Sequence, residues 1–324
     1  MTTAADIGSV AATRSQNRVI VLEGGTCQHR SRPGRRPRPG NVVVRVHSIG
    51  LCRTDLAVID GSLAVSQPLI PGHEFSGVVS LVGANVPESL IGQRVAVDPL
   101  LPCNVCSACR EGRSHKCPLL RMMGVDEDGA CCEEAEISAN RIYSIPSDLS
   151  FSAAVMAEPV AAVLAVADVQ LASRQKGIIL GDNRIAVLTQ RVLQAVAGFV
   201  PDVVCADNVT AFRENSLDYV IESELTSLVL QSAIRLLKPG GTFIIKSRRQ
   251  ASLAVDFLPA LRKEIVIRFA HYGNFGRAVQ LLSEKRVLVD DLIGRHFPLS
   301  QFDRAVAWAR NTETSKTFLT VGDS

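Results

Sequence analysis

The sequence lacks an excess of charge of either sign. Its 324 residues include 35 Lys and Arg against 32 Asp and Glu, for a net charge of +3. So close a balance argues against nucleic acid as a partner. Hydrophobic residues make up 47% and charged residues 21%, which excludes a disordered or fibrous chain. At roughly 150 residues per domain, the length indicates about two domains.

Long apolar runs are also lacking. The longest, residues 153–172, is interrupted by Glu158, Pro159 and Asp168, whereas a bilayer-spanning helix needs ~18 apolar residues in succession. The N-terminus (MTTAADIGSVAATRSQNR) has no apolar core of the kind found in signal peptides. We therefore expect a cytoplasmic protein without a membrane partner.

Cysteine, by contrast, is plentiful, with nine in the chain. Disulfide frameworks belong mostly to small secreted chains, which this is not expected to be. Four of the nine follow the spacing Cys103-x-x-Cys106-x-x-Cys109-x7-Cys117. Four thiolates close a tetrahedral shell around Zn²⁺ and leave no open position. The spacing predicts a structural zinc; the alternative is four free surface thiols.

Further metal-ligand types lie outside this cluster. Cys52 follows the alternating run 42–46, His73 and Glu74 precede another apolar run, and Glu158 stands before Pro159 in a helical segment. Each alone has a structural explanation: a buried thiol, a hydrogen-bonded core imidazole or a helix start. Together they indicate a second metal site.

The motifs GLCRTDL and PGHEFSGVV and the four-cysteine lobe occur in the order and spacing of the zinc-dependent medium-chain alcohol dehydrogenase family. The resemblance extends from about residue 19 to 321. It implies that Cys52 and His73 bind a catalytic zinc. It also implies that Glu158 is the third ligand, as in polyol-dehydrogenase-like members.

The same resemblance assigns roles to the neighbouring residues. Glu74 matches a second carboxylate beside the zinc, and Asp55 matches the acid that orients the zinc-bound histidine. Thr54 matches the hydroxyl that accepts the substrate proton, and Arg53 a residue near the cofactor pyrophosphate. Three protein ligands would leave zinc open to a substrate oxygen.

The pattern along the chain divides it into unequal parts. Residues 1–18 are expected to form an arm, and residues 19–152 a β-rich domain with a zinc lobe at 98–120, which the family resemblance implies is a GroES-like catalytic domain. Strand and helix then alternate, which predicts a truncated doubly wound (Rossmann-like) parallel sheet over residues 153–286. Residues 287–324 are expected to return to the catalytic domain. The fold class is thus α/β plus β.

A basic, Pro-rich connection with five arginines covers residues 30–40. Its arginines could bind an anion or a partner, or they could simply lie on a solvated loop.

The dinucleotide-binding fingerprint G-x-G-x-x-G is altered. Gly181, Asn183 and Ala186 stand at its three glycine positions. Alanine is tolerable at the third, which serves helix–strand packing. Asparagine at the second places a side chain where the backbone should approach the pyrophosphate.

The cofactor domain is also short. Asp207 is expected to end the second strand, where an acid would bind the ribose hydroxyls and favour NAD over NADP. Only residues 208–217 separate it from the next strand, whereas a strand–helix–strand unit needs roughly 30 residues. One helix, together with its strand, is therefore expected to be missing or vestigial.

These observations predict a zinc-dependent oxidoreductase that transfers hydride between NAD(P) and a small secondary alcohol, polyol or sugar-like molecule, with two zinc ions per chain. A first alternative is a zinc lyase, hydratase or hydrolase that has lost nicotinamide chemistry; a second is a non-catalytic partner subunit. By analogy with the family, a homodimer or higher homo-oligomer is expected.

Overall fold

The computed structural model describes residues 16–171, 174–248 and 252–322. The chain forms two compact units. Unit 1 comprises residues 1–158, 293–312 and 316–324, and unit 2 comprises residues 159–292 and 313–315. The expected arm lies outside the described residues except for 16–18, which belong to the first strand. Burial of Asn17 explains this early start, because its amide bonds the backbone of Glu133 and Glu134.

Unit 1 contains eleven strands in the described chain. They are β1 (Gln16–Glu23), β2 (Thr26–Pro33), β3 (Asn41–Leu51), β4 (Glu74–Val82), β5 (Arg94–Val97), β6 (Leu100–Leu101), β7 (Arg121–Met122), β8 (Glu134–Ser138), β9 (Ile142–Ser144), β15 (Ile293–Pro298) and β16 (Lys316–Thr320). Its helices are α1 (Arg53–Ile59), α2 (Ser107–Arg110), α3 (Phe151–Val155) and α9 (Phe302–Arg310). Helix α4 (Ala157–Ala167) begins in this unit.

The main sheet of unit 1 has seven strands in the order β15-β16-β3-β4-β5-β9, with β8 also paired to β3. Only Arg45 and His47 of strand β3 are exposed, and its Val42, Val44 and Val46 side chains enter the core. The last strand, β16, returns from the end of the chain to pair antiparallel with β3, and Thr317 lies opposite Leu51. This register brings the start of β16 to the end of β3.

Unit 2 is a five-stranded parallel sheet with flanking helices. Its strands are β10 (Gly177–Leu180), β11 (Asp202–Val204), β12 (Leu217–Glu222), β13 (Leu237–Ile245) and β14 (Val266–Phe269). Its helices are α5 (Arg184–Ala197), α6 (Ser227–Leu236), α7 (Leu258–Arg262) and α8 (Phe275–Ser283). The strand order is β11-β10-β12-β13-β14. The expected fold class is confirmed in both units.

The predicted shortening is visible in the strand order. A six-stranded doubly wound sheet has the order 3-2-1-4-5-6, and here the described residues contain no strand in position 3. Between β11 and β12 the chain forms a 3-10 helix, Ala206–Ala211. Asp207 lies in this 3-10 helix and does not end a strand, because β11 already stops at Val204.

The arginines of residues 30–40 are mostly paired with carboxylates of the same unit. Arg30 pairs with Glu23, Arg32 and Arg35 with Asp128, and Arg38 with Glu136. Four of the five arginines are thus paired with carboxylates, so the structure favours the interpretation as a solvated, intramolecularly paired segment. No helix within the described ranges is both long and apolar enough to cross a membrane.

Candidate active site

Four thiols converge in the lobe between β6 and β7. The Sγ atoms of Cys103, Cys106, Cys109 and Cys117 all lie within 4.8 Å of one another. The Sγ atoms of Cys106 and Cys109 are 3.4 Å apart, at the two ends of the first turn of α2. The backbone N–H of Cys103 donates to the Cys117 sulfur at 3.4 Å. This donor set fits a closed tetrahedral zinc site.

A second convergence lies where β3 ends and β4 begins. Cys52 follows β3 and caps the N-terminus of α1, and His73 immediately precedes β4. Gly50 is paired with Glu74 across the two strands, and this register brings the two segments together. One ligand atom each from Cys52, His73 and Glu74 lies within 4.8 Å of the others. The antiparallel pair therefore builds the site.

Asp55 organises both of the first two ligands. One carboxylate oxygen lies 2.9 Å from His73 Nδ1, and the other accepts the backbone N–H of Cys52 at 2.8 Å. Asp55 and His73 are 1% and 0% exposed. With Nδ1 engaged by the acid, the remaining nitrogen, Nε2, is buried and makes no hydrogen bond within the described chain. A buried imidazole nitrogen held this way fits a metal ligand oriented by a carboxylate.

The electrostatics favour an ionised sulfur at Cys52. Burial raises the pKa of its thiol, but the adjacent His73 and the Lys316 ammonium outweigh burial and lower the pKa to about 6. A thiolate is the form of cysteine that binds metals.

Lys316 is a site residue that the sequence analysis missed. Its ammonium forms an ion pair with a Glu74 carboxylate oxygen, and both side chains are 1% exposed. Burial raises the pKa of Glu74, and Lys316 opposes that rise. A Cβ atom on Gly50 would lie 2.7 Å from Glu74 and 2.9 Å from Lys316, so glycine is required for the pair to fit against β3. A lone lysine at the start of the last strand carries no motif that could have revealed this role.

Glu158 is placed differently from the other expected ligands. It is the second residue of α4 and is 3% exposed. Its charge acts on both Cys52 and Glu74, but it lies outside the group of three close ligand atoms. The structure thus gathers Cys52, His73 and Glu74 most tightly, with Glu158 near them.

The two residues after Cys52 open helix α1. The Thr54 hydroxyl lies 3.9 Å from the Cys52 sulfur, at the edge of the metal-ligand group. Arg53 is exposed at the first position of the helix.

In unit 2 the altered fingerprint lies between β10 and α5. Gly181 has φ +136°, and a Cβ atom there would lie 2.0 Å from the Ser223 hydroxyl, so only glycine fits. Ala186 is fully buried in the first turn of α5, in keeping with the packing role of the third position. Asn183 caps the helix: its Oδ1 atom accepts the N–H groups of Ile185 and Ala186 at 3.0 and 3.1 Å.

A buried polar group that the sequence analysis did not identify lies at the carboxyl ends of β12 and β13. Glu222 Oε1 accepts the backbone N–H groups of Lys246 and Ser247 at 2.8 and 2.9 Å and the Ser247 hydroxyl at 3.0 Å. Burial raises the pKa of Glu222 despite these donors. Its Oε2 atom makes no hydrogen bond within the described residues. Ligands of doubly wound sheets bind at this edge.

Comparison with known proteins agrees with these features. The family described as Alcohol dehydrogenase GroES-like domain matches residues 38–147. Sorbitol dehydrogenase of Gallus gallus is 27% identical over 353 aligned positions, which cover 96% of this chain and 98% of the relative. D-altritol 5-dehydrogenase of Agrobacterium fabrum is 27% identical over 298 positions, covering 81% and 87%.

A solved structure of a Sinorhizobium meliloti protein, named as a zinc-binding dehydrogenase and bound to NADP, superposes with a TM-score of 0.85 at 23% identity. The match covers 95% of this chain and 100% of that one. The fold, the two ligand clusters and the full-length similarity lead to one conclusion. The chain carries an Alcohol dehydrogenase GroES-like domain over residues 38–147, and over nearly its full length it is similar to alcohol and polyol dehydrogenases.

Proposed function

We propose that this protein is a zinc-dependent oxidoreductase that moves hydride between a secondary alcohol, polyol or sugar-like substrate and a nicotinamide dinucleotide. One observation carries the proposal: the buried convergence of Cys52, His73 and Glu74, with His73 Nε2 free to bind a metal. The relatives named as sorbitol and altritol dehydrogenases support the polyol class.

Cys52 and His73 would hold the catalytic zinc, with Glu158 as the third ligand. Zinc there supplies Lewis acidity toward an alcohol or carbonyl oxygen. The Glu74 carboxylate lies within 4.8 Å of the Cys52 and His73 ligand atoms, but it already forms an ion pair with Lys316. The ion pair of Glu74 with Lys316 supports Glu158 as the carboxylate ligand and Glu74 as a neighbouring charge.

Side chains of the site would accept the substrate proton and hold the metal ligands in position. Thr54 carries a hydroxyl that both donates and accepts, so it can take the substrate proton beside Cys52. Asp55 holds the His73 ring in place, and no histidine follows Asp55 in the next three positions to continue a relay.

The cysteine lobe would hold a second, structural zinc through Cys103, Cys106, Cys109 and Cys117. Since four sulfurs complete the shell, this ion has no position for substrate. The proposal is therefore two zinc ions per chain with different roles.

For the cofactor we propose NAD(P), with NAD preferred. Asp207, the acid expected to bind the ribose hydroxyls, lies three residues after the end of β11, in the 3-10 helix. Gly181, Asn183 and Ala186 lie in the turn at which we propose that the pyrophosphate binds, and Arg53 is proposed as a further cofactor residue. The zinc-binding dehydrogenase of Sinorhizobium meliloti binds NADP, which supports a dinucleotide on this fold.

We further propose a homodimer formed through unit 2. Strand β14 is an edge of the parallel sheet, and edge strands offer unpaired backbone groups. Phe269 on this strand is 78% exposed, and Leu261 of the preceding helix α7 is 72% exposed. An apolar edge of this kind suits pairing with a second copy.

None of the nine cysteines forms a disulfide, which is consistent with action in the reducing cytoplasm.

Neither alternative gains support. The curated relatives are named as dehydrogenases or reductases, and no feature of the described site favours elimination, hydration or hydrolysis. The ligand groups are intact, which argues against a non-catalytic subunit.

The test is isotopic. Zinc-loaded protein is incubated with a panel of polyols deuterated at the carbinol carbons and with NAD⁺ or NADP⁺. We expect deuterium in the reduced nicotinamide ring, detected by mass spectrometry. Conversion of a substrate with no label in the nicotinamide would contradict hydride transfer and support the lyase alternative.

A further inference from the structure

The N-terminus of α5 is occupied by a side chain of the same protein. Asn183 is the residue before the helix, is 6% exposed, and has an extended backbone (φ −101°, ψ 170°). Its Oδ1 atom accepts two backbone N–H groups, from Ile185 at 3.0 Å and Ala186 at 3.1 Å. Its amide nitrogen donates to the Ser223 carbonyl at 3.4 Å. The side chain is thus held at both ends.

These N–H groups are the ones that a bound dinucleotide needs. In doubly wound folds the pyrophosphate lies on the N-terminus of the helix after the first strand, where unpaired N–H groups and the helix dipole favour an anion. At the second fingerprint position a glycine leaves those donors open, but Asn183 places an oxygen on them. The turn in its observed conformation therefore does not fit a pyrophosphate at these donors.

The surroundings restrict any alternative approach. Ser223 closes the other side of the turn, since its hydroxyl donates to the Leu180 carbonyl at 3.1 Å and lies against Gly181. Arg184, at the first helical position, is 7% exposed; its Nη1 atom donates to the Glu313 carbonyl at 3.2 Å, and its Nε makes no hydrogen bond within the described residues. A buried cation with a free donor beside the helix end points to an anion as the ligand that this turn accepts once the cap has moved.

We propose that Asn183 is an internal competitor for the cofactor. Its amide must leave the α5 N-terminus before the pyrophosphate can bind, so it sets the affinity for the dinucleotide. The inference rests on the proposed function, because it presumes that nicotinamide dinucleotide is the cofactor. An asparagine cap stabilises a helix by ~1 kcal/mol, which at 1.4 kcal/mol per tenfold corresponds to about fivefold in affinity.

The experiment measures binding directly and does not depend on turnover. NADH and NADPH are titrated into the zinc-loaded protein, with nicotinamide fluorescence and calorimetry as readouts. The variant is Asn183→Gly, which removes the capping oxygen and leaves the N–H groups of Ile185 and Ala186 open to a ligand. The matched control is Asn274→Gly, since Asn274 caps α8 in the same way, through the N–H of Arg277 at 2.8 Å.

We expect Asn183→Gly to bind at least one of the two cofactors about fivefold more tightly or better, and Asn274→Gly to bind like the original chain. Equal or weaker binding by Asn183→Gly, with measurable binding by the original chain, would overturn the inference and leave the proposed function intact. Absence of binding by all three proteins at millimolar cofactor would overturn the proposed function and this inference with it. Circular dichroism of both variants verifies that the helices remain formed.

Discussion

Lys316 and Glu74, 242 residues apart in the chain, form an ion pair whose two side chains are each 1% exposed. The pair joins the first residue of the last strand to the residue after His73. Taking two charges out of water is costly, and removal of one partner leaves the other uncompensated. This pair therefore ties the last strand of the chain to the metal-ligand group.

Replacement of Lys316 with methionine should lower the free energy of unfolding by about 3–5 kcal/mol, because it leaves the buried Glu74 carboxylate without a compensating charge. Urea denaturation of the zinc-loaded protein measures the change. The double variant Lys316→Met with Glu74→Gln should recover much of the loss. Lys238→Met serves as control, since Lys238 is 42% exposed in its pair with Asp218 and should cost ~1 kcal/mol or less. Equal losses for Lys316 and Lys238 would contradict a buried pair.

Substitution of Asp55 by asparagine should weaken zinc binding at the Cys52 site by about 10–100-fold, because the His73 ring loses its carboxylate partner. Competition with a fluorescent chelator measures the affinity. Asp60→Asn is the matched control at the other end of the same helix, where the Asp60 carboxylate accepts hydrogen bonds from Ser62. If both variants held zinc as tightly as the original chain, Asp55 would not orient a metal ligand.

The two metal groups should respond differently to loss of one sulfur. Cys106→Ser should release the structural zinc and lower the thermal midpoint, since the lobe is held by those four thiolates. Cys52→Ser should remove the other zinc while leaving the midpoint within a few degrees. Metal analysis and calorimetry on each variant test this. Loss of both ions from either single variant would show that the sites are not independent.

Asp98 gives the stability a pH dependence of defined sign. Burial raises the pKa of Asp98 from 3.8 to about 6, so between about pH 4 and 6 the folded state holds a proton that the unfolded chain has lost. Stability therefore falls as pH rises through this window, by up to ~3 kcal/mol from this group. Asp98→Asn keeps the oxygen that accepts the Leu100 N–H and removes the penalty. It should stabilise the protein at pH 7 and have little effect at pH 4.

Asp218 provides the opposite case. The Lys238 hydrogen bond lowers the pKa of Asp218, so its contribution is present at neutral pH and is lost as the pH falls below the ordinary aspartate range. Asp218→Asn should destabilise the protein at neutral pH and less so in acid. Urea titrations across pH 3–8 compare the two variants. A parallel pH trend for both would contradict the sign assigned to Asp98.

The metal groups could be predicted from sequence because their signals are local. The four-cysteine lobe spans fifteen residues, and Cys52, Asp55 and His73 lie in two short motifs that flank the adjacent strands β3 and β4. The missing strand of unit 2 was also predictable, since a count of ten residues cannot hold a strand–helix unit. In these cases spacing along the chain already limits the possible structure.

Other features depend on contacts that spacing does not encode. Lys316 reaches Glu74 only because β16 pairs with β3, and that pairing joins opposite ends of the chain. The predicted end of the second strand at Asp207 is wrong because β11 has only three residues and a 3-10 helix begins at Ala206. Asn183 was recognised as a departure from a glycine, but its capping of α5 required the geometry of the turn.

The central claim is that a zinc held by Cys52 acts in nicotinamide-dependent oxidation. Its most direct test compares the original chain with Cys52→Ser, both loaded with zinc. Reduction of NAD⁺ or NADP⁺ by a panel of polyols and secondary alcohols is followed, and the zinc content is measured on the same samples. The account predicts two zinc ions and turnover for the original chain, and one zinc with turnover abolished for Cys52→Ser. Undiminished turnover by Cys52→Ser, or no turnover by a two-zinc original chain with any of these alcohols, would contradict it.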